Sequence, residues 1–126
     1  GGVILLVEDY SELRSVAARV LNRAGYQVIT AESGEEALRM IEAGLRPDVL
    51  VTDIGLPGVN GVRLAETILQ LQPQVKVLLC SGSKDYEHLL ESIGDLPFLE
   101  KPYRVEELVR GVRSILKKQQ AITKAS

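Results

Sequence analysis

Asp48-Val49-Leu50-Val51-Thr52-Asp53-Ile54-Gly55-Leu56-Pro57-Gly58-Val59-Asn60-Gly61 is the stretch on which the organisation of the chain turns. Asp48 to Thr52 reads as a buried strand, because a short apolar run rich in β-branched residues and bounded by turn residues behaves that way. Asp53 stands at its end. The chain then breaks at Gly55, Pro57, Gly58 and Gly61. A carboxylate at the tip of an apolar strand, followed at once by a glycine-rich loop, is an exposed oxyanion on a rigid support.

Outward from this stretch the same rhythm recurs. Val3-Ile4-Leu5-Leu6-Val7 reads as a strand buried on both faces and stops at Glu8-Asp9. Ser11 is the expected cap of a helix with Leu13, Val16, Ala17, Val20 and Leu21 on one face, ended by Gly25. Tyr26 to Thr30 is a more polar strand, and Ser33 with Glu36 forms a capping-box pattern for a helix running to Gly44. A third helix after Gly61 places Leu64, Ile68 and Leu71 together, and Pro73 closes it. Val75 to Cys80 reads as a fourth strand ending at Ser81-Gly82-Ser83. A short helix is expected from Asp85 to Ile93, then a short fifth strand, Pro97 to Glu100, ending at Lys101-Pro102. The last helix carries Val105, Leu108, Val109, Val112 and Leu116 as one stripe, with Lys117 and Lys118 suited to its C-terminal dipole.

Strands alternating with helices imply right-handed crossovers and a parallel sheet with helices on both faces. The expected fold class is α/β: a single doubly wound, flavodoxin-like (βα)5 domain over residues 1–118. Its five-stranded parallel sheet takes the order 2-1-3-4-5, which puts the polar second strand and the short fifth strand at the edges. Residues 119–126 are expected to form a polar C-terminal tail.

Composition bounds the function. The chain has 126 residues, 45% hydrophobic and 25% charged, which suits one globular domain with its own core. A net charge of −2 gives no reason to expect nucleic acid or an anionic membrane as a direct partner. The lone Cys80 excludes an intramolecular disulfide and fits a reducing compartment. No apolar run approaches the roughly 18 residues of a membrane span, so no insertion by this chain is expected. The chain opens Gly1-Gly2 without methionine, as a piece of a longer protein would.

Ligands of open α/β sheets bind beyond the carboxyl ends of the strands. The residues there are Glu8, Asp9, Asp53, Ser81 and Lys101. Clustered carboxylates repel one another, and a hard divalent cation relieves that; Mg²⁺ prefers oxygen ligands and commonly shares its site with phosphate. Asp9 and Asp53 are assigned as direct ligands, the backbone carbonyl of Gly55 is a third candidate, and Glu8 acts directly or through water. Asp53 then reads as a nucleophile forming an acyl phosphate, with Lys101 bridging to the carboxylate and later to the phosphate, and Ser81 donating its hydroxyl to a phosphoryl oxygen. Charge-assisted hydrogen bonds contribute about 1.5–3 kcal/mol each. Two such bonds approach the roughly 5.5 kcal/mol that inverts a 1:99 equilibrium, so phosphorylation can act as a switch.

Taken singly, each residue has a plainer reading: Glu8 or Asp9 a cap, Ser81 a loop serine, Lys101 a surface charge, Phe98 a core residue, Cys80 a small buried hydrophobe. His88, the one histidine, reads as a solvent-facing helix residue. A haloacid-dehalogenase type phosphatase usually carries a second acid two residues after its nucleophile, and that position is Gly55. A nucleotide or flavin carrier would need a phosphate loop, and the loop after the first strand is acidic instead.

The chain resembles the receiver domain of two-component response regulators from its first strand to its last helix. Leu6-Val7-Glu8-Asp9, the Asp53 to Gly61 stretch, Ser81-Gly82 and Lys101-Pro102 carry the likeness, in the same order. The resemblance implies Mg²⁺-dependent transfer of a phosphoryl group from a partner phosphohistidine to Asp53, later hydrolysis, and a signalling switch domain in place of an enzyme. It implies that Ser81 moves toward the phosphate and that Phe98 occupies the rotating aromatic position. Tyr10 departs from the acidic or polar residue common there, and Gly55 and Ser83 stand where phosphate lifetime is tuned. The Leu96 to Tyr103 run and the short segment between Ser81 and Lys101 are similar to receivers at the C-terminal end of hybrid histidine kinases.

The implied partner is a histidine kinase or a histidine phosphotransfer domain, expected to dock against Tyr10, Leu13, Pro102 and Tyr103. The implied location is cytoplasmic, free or as the cytoplasmic part of a membrane-attached kinase. No output domain is expected after residue 118, so output would act through protein contacts or on a domain elsewhere.

Overall fold

The computed structural model describes residues 2–82 and 96–125, with side chains of the last helix described to Lys117. Strands β1 (Val3–Val7), β2 (Gln27–Ala31), β3 (Val49–Asp53), β4 (Lys76–Ser81) and β5 (Phe98–Glu100) form one parallel sheet in the order β2-β1-β3-β4-β5. The described helices are α1 (Ser11–Arg23), α2 (Gly34–Glu42), α3 (Gly61–Leu71) and α4 (Val105–Ala125). This is the expected flavodoxin-like topology, with the polar β2 and the short β5 at the edges. The helix expected at Asp85 to Ile93, with Ser83 and His88, lies outside the described residues.

Alternation along the strands builds two cores, because successive side chains point to opposite faces. Leu5, Val7, Leu50, Val77 and Leu79 face Ala37 and Ile41 of α2 and Val62, Leu64, Ala65 and Ile68 of α3. Ile4, Leu6, Val49, Val51, Leu78 and Cys80 face Ala17 and Leu21 of α1 and Leu108, Val112 and Ile115 of α4. A sheet covered on both sides explains why its central strands are mostly apolar, with polar residues kept to their ends.

Helix ends follow mostly as read. The Ser33 hydroxyl accepts the Glu36 N–H at 3.1 Å, and the Asn60 side chain accepts the Arg63 N–H at 2.9 Å. Gly25 (φ 103°) and Gly44 (φ 110°) take the left-handed conformation just past α1 and α2, where a side chain would be strained. Ser11 is not a cap. It is the first helical residue, Tyr10 holds the cap position with extended backbone, and no side chain caps α1.

Three core assignments differ. Leu71 is 57% exposed, because α3 ends there and Gln72 turns inward instead, its Nε2 donating to Leu45 O at 2.9 Å. Val16 is exposed, since the buried line of α1 runs through Ala17 and Leu21. Ile115 completes the α4 stripe beside Leu108 and Val112. The α4 backbone continues through 119–125, so the polar residues expected as a tail extend the helix. Among the described residues no helix is long and apolar enough to cross a membrane.

Candidate functional site

All five strands point the same way, so their carboxyl ends share one edge of the sheet. Val7 pairs with Thr52, Asp53 with Cys80 and Ser81 with Glu100. One residue beyond these pairings, Glu8 comes opposite Asp53, with Asp9 following it, and Lys101 comes opposite Gly82. Carboxylate oxygens of Glu8, Asp9 and Asp53 all lie within 4.8 Å of one another. The acids expected to meet do meet.

Their surroundings differ. Glu8 is buried, Asp53 is intermediate and Asp9 is exposed. Glu8 Oε1 accepts from Lys101 Nζ at 2.7 Å and Glu8 Oε2 from the Tyr10 N–H at 3.2 Å. Lys101 Nζ is 3.5 Å from Asp53 Oδ2. The expected bridge from Lys101 to Asp53 is thus the longer of two, and Glu8 is the ammonium's main partner. Burial raises the Glu8 pKa, outweighing the hydrogen bonds from Lys101 and Tyr10 that lower it. For Lys101 burial lowers the pKa, but the hydrogen bond to Glu8 and the charges of Asp53 and Glu8 outweigh it and raise it.

The backbone around Asp53 is tied down. The Ile54 N–H donates to Cys80 O at 2.8 Å, the Gly61 N–H to Ile54 O at 3.0 Å and Thr52 Oγ1 to Asp53 O at 3.0 Å. A Cβ at Gly61 would run into the Asp53 carbonyl oxygen and come within 2.8 Å of Ile54 Cα, so glycine is required where α3 begins. Gly55 lies inside the loop that these bonds close. Ser81 is buried at the end of β4, and its carbonyl accepts the Lys101 N–H at 2.8 Å. Phe98 is 42% exposed on β5, which excludes the plain core reading.

Beside the acids a cleft of about 320 Å³ is lined, among the described residues, by Leu13, Gly82, Lys101, Pro102 and Tyr103. It holds three of the four residues expected to dock a partner. The fourth, Tyr10, is 58% exposed. Burial, joined by the charges of Cys80, Glu8 and Asp53, raises the Tyr103 phenol's pKa.

Two contributors went unread in the sequence. Arg14 Nη1 donates to Glu8 O at 2.9 Å, and Glu35 Oε1 accepts the Val59 N–H of the β3–α3 loop at 3.2 Å. For Arg14 a signal existed: a cation one turn from a helix N-terminus, against the dipole.

The family model described as "Response regulator receiver domain" matches residues 4–113. Chemotaxis protein CheY of Thermotoga maritima is 28% identical over 120 residues, covering 93% of this chain and 99% of CheY. Sensor kinase CckA of Brucella abortus is 33% identical over 119 residues, covering 92% of this chain but 13% of CckA. The structure of response regulator protein TrrA from Thermotoga maritima in complex with Mg²⁺-BeF matches with a TM-score of 0.80 at 30% identity, over 91% of this chain and 99% of that one.

Proposed function

The chain belongs to the receiver domain family of two-component response regulators, and on that premise we propose that it takes a phosphoryl group from a partner phosphohistidine onto Asp53. Such a domain is a phosphoacceptor and signalling switch, not a free-standing catalyst. The observation that carries the assignment is the grouping of the Asp53 carboxylate with Glu8, Asp9 and Lys101 at the end of β3. An Asp53 oxygen attacks phosphorus. The O–P bond forms as the N–P bond to the partner histidine breaks, and the imidazole nitrogen keeps the electron pair and takes up a proton.

The donor set suits a hard divalent cation, and Mg²⁺ is the one we assign. Asp9 and Asp53 would hold it directly, with the Gly55 carbonyl. Glu8 would act through water, because its Oε1 is already engaged by Lys101. When bound, Mg²⁺ supplies positive charge to the phosphoryl oxygens. Lys101 exchanges part of its pairing with Glu8 for the new phosphate, Ser81 donates its hydroxyl to it, and Phe98 is the aromatic that rotates from its exposed position.

The partner is a histidine kinase or a histidine phosphotransfer domain, placing the reaction in the cytoplasm. It docks over the cleft lined by Leu13, Pro102 and Tyr103, and against the exposed Tyr10. The likeness to a sensor kinase and the Leu96 to Tyr103 run favour the receiver of a hybrid kinase as the larger setting.

Intact mass after incubation with Mg²⁺ and acetyl phosphate tests the assignment. One phosphoryl group gained by the wild type, and none without metal or in Asp53→Asn, is the expected result. A gain that persists in folded Asp53→Asn would place the acceptor elsewhere.

A further inference from the structure

We infer that Arg14 is a positioning residue for the acid pair: it holds the backbone of Glu8 and Asp9 so that their carboxylates face Asp53 at the spacing a divalent cation needs. The inference rests on the metal reading above and concerns how the site is built.

The ladder of β1 ends at Val7, and the Glu8 N–H still reaches Ala31 O at 3.2 Å. Beyond it, only Glu8, Asp9 and Tyr10 link the strand to α1. Two of those three residues carry the acids. Their carbonyls have left the sheet, and buried or half-buried carbonyls need donors. For Glu8, the sheltered one of the pair, Arg14 supplies the donor. Its Nη1 donates to Glu8 O at 2.9 Å and reaches Asp9 O at 3.5 Å, while its own N–H donates to Tyr10 O at 2.9 Å.

The same guanidinium touches Glu32 after β2, Nη2 to Oε1, at 3.4 Å. That contact is long, and the Glu32 side chain is 69% exposed, so it contributes little. The Arg14 side chain is only 16% exposed. Its short, sheltered contact is the one to Glu8 O; the 3.5 Å reach to Asp9 O is exposed and no shorter than the contact to Glu32. A planar fork with donors in fixed directions can reach Glu8, Asp9 and Glu32 together; an ammonium cannot.

Charge and position act on metal affinity with opposite signs. A cation near the acids repels a divalent metal, so losing the Arg14 charge alone would tighten binding. Losing the backbone anchor loosens Asp9 and weakens binding. Metal affinity therefore separates the two roles.

The test is a titration of the full chain with MgCl₂ alone, followed by amide ¹H–¹⁵N shifts of Asp9 and Asp53, with thermal unfolding as a fold check. Arg14→Ala is expected to raise the Mg²⁺ Kd about tenfold, the low end for groups that orient metal ligands. Arg14→Lys, which keeps the charge without the fork, should also weaken binding, and Glu32→Ala should leave the Kd unchanged. Phosphoryl gain from acetyl phosphate should recover in Arg14→Ala at saturating Mg²⁺. An unchanged or tighter Kd in folded Arg14→Ala overturns the inference; if that variant does not fold, Arg14→Lys decides by the same criterion. A wild type whose amides show no Mg²⁺ response overturns the metal reading itself, and this inference with it, so the two failures are distinguishable.

Discussion

Lys101 and Glu8 form a 2.7 Å ion pair across the carboxyl edge of the sheet, shorter than the 3.5 Å between Lys101 and Asp53. The more buried acid thus takes the ammonium: the Glu8 side chain is 6% exposed and that of Asp53 13%. Pairing Lys101 with Glu8 offsets the burial of a carboxylate and leaves Asp53 the longer of the two contacts. It also leaves a cation one short movement from where a new phosphate would sit.

Lys101→Met should cost about 1–3 kcal/mol at neutral pH, because it strands the buried Glu8 carboxylate beside Asp53. The folded-state pKa of Lys101 is raised above 10.5, with its pairing outweighing burial. Its contribution is therefore fully present below 10.5 and is lost as pH rises through the folded value. Urea unfolding of both proteins should show a deficit that closes above pH 10.5. A deficit that stays constant across that range would assign the loss to packing instead.

Gly61→Ala should damage the acceptor directly. The added methyl would meet the Asp53 carbonyl and Ile54 Cα, both backbone, so the loop must shift. Forcing a methyl into packed backbone costs about 1–3 kcal/mol. The rate of phosphoryl gain from acetyl phosphate should fall with stability. A folded variant with wild-type stability and rate would show that the loop yields without moving Asp53.

The topology and the acid cluster were legible because each rests on local chemistry. An apolar run ending in a carboxylate and followed by glycines can be read at Asp53 without knowing its neighbours, and the parallel crossover rule then brings Glu8, Asp9, Ser81 and Lys101 to one edge. What escaped depends on distances between side chains. Lys101 is long enough to reach either acid, and only the packing of β1 against β3 decides for Glu8. Arg14 went unread, since nothing in the helical period of α1 says that a guanidinium folds back onto the preceding loop. Leu71 fitted a period that stopped at the helix end, where Gln72 took the inward place.

Cys80 should resist thiol reagents until the chain unfolds. It is 3% exposed, and burial pushes its thiol from 9.0 up to about 12. At pH 8 the native thiolate fraction falls roughly a thousandfold below that of a free thiol with the ordinary pKa. The sign for stability follows: its contribution is full below pH 9.0 and is lost as pH rises toward 12, because the unfolded chain releases the proton first. Mass spectrometry after iodoacetamide should show no label in native protein and one in urea. Rapid labelling of the native protein would mean that the α4 side of the sheet opens on its own.

Leu13 and Tyr103 line the cleft next to the acids without belonging to them, so their loss should separate docking from chemistry. Truncating a packed contact residue at an interface commonly costs about 1–2 kcal/mol, or roughly five- to thirtyfold in affinity. Leu13→Ala and Tyr103→Ala should slow transfer from a phosphorylated partner domain by that order while leaving phosphorylation by acetyl phosphate intact. The small donor needs only Asp53 and its immediate neighbours, whereas the protein donor must seat a surface against the cleft. Equal losses with both donors would place Leu13 and Tyr103 among the groups that shape the acid site. Wild-type rates with both would move the docking surface off the cleft altogether.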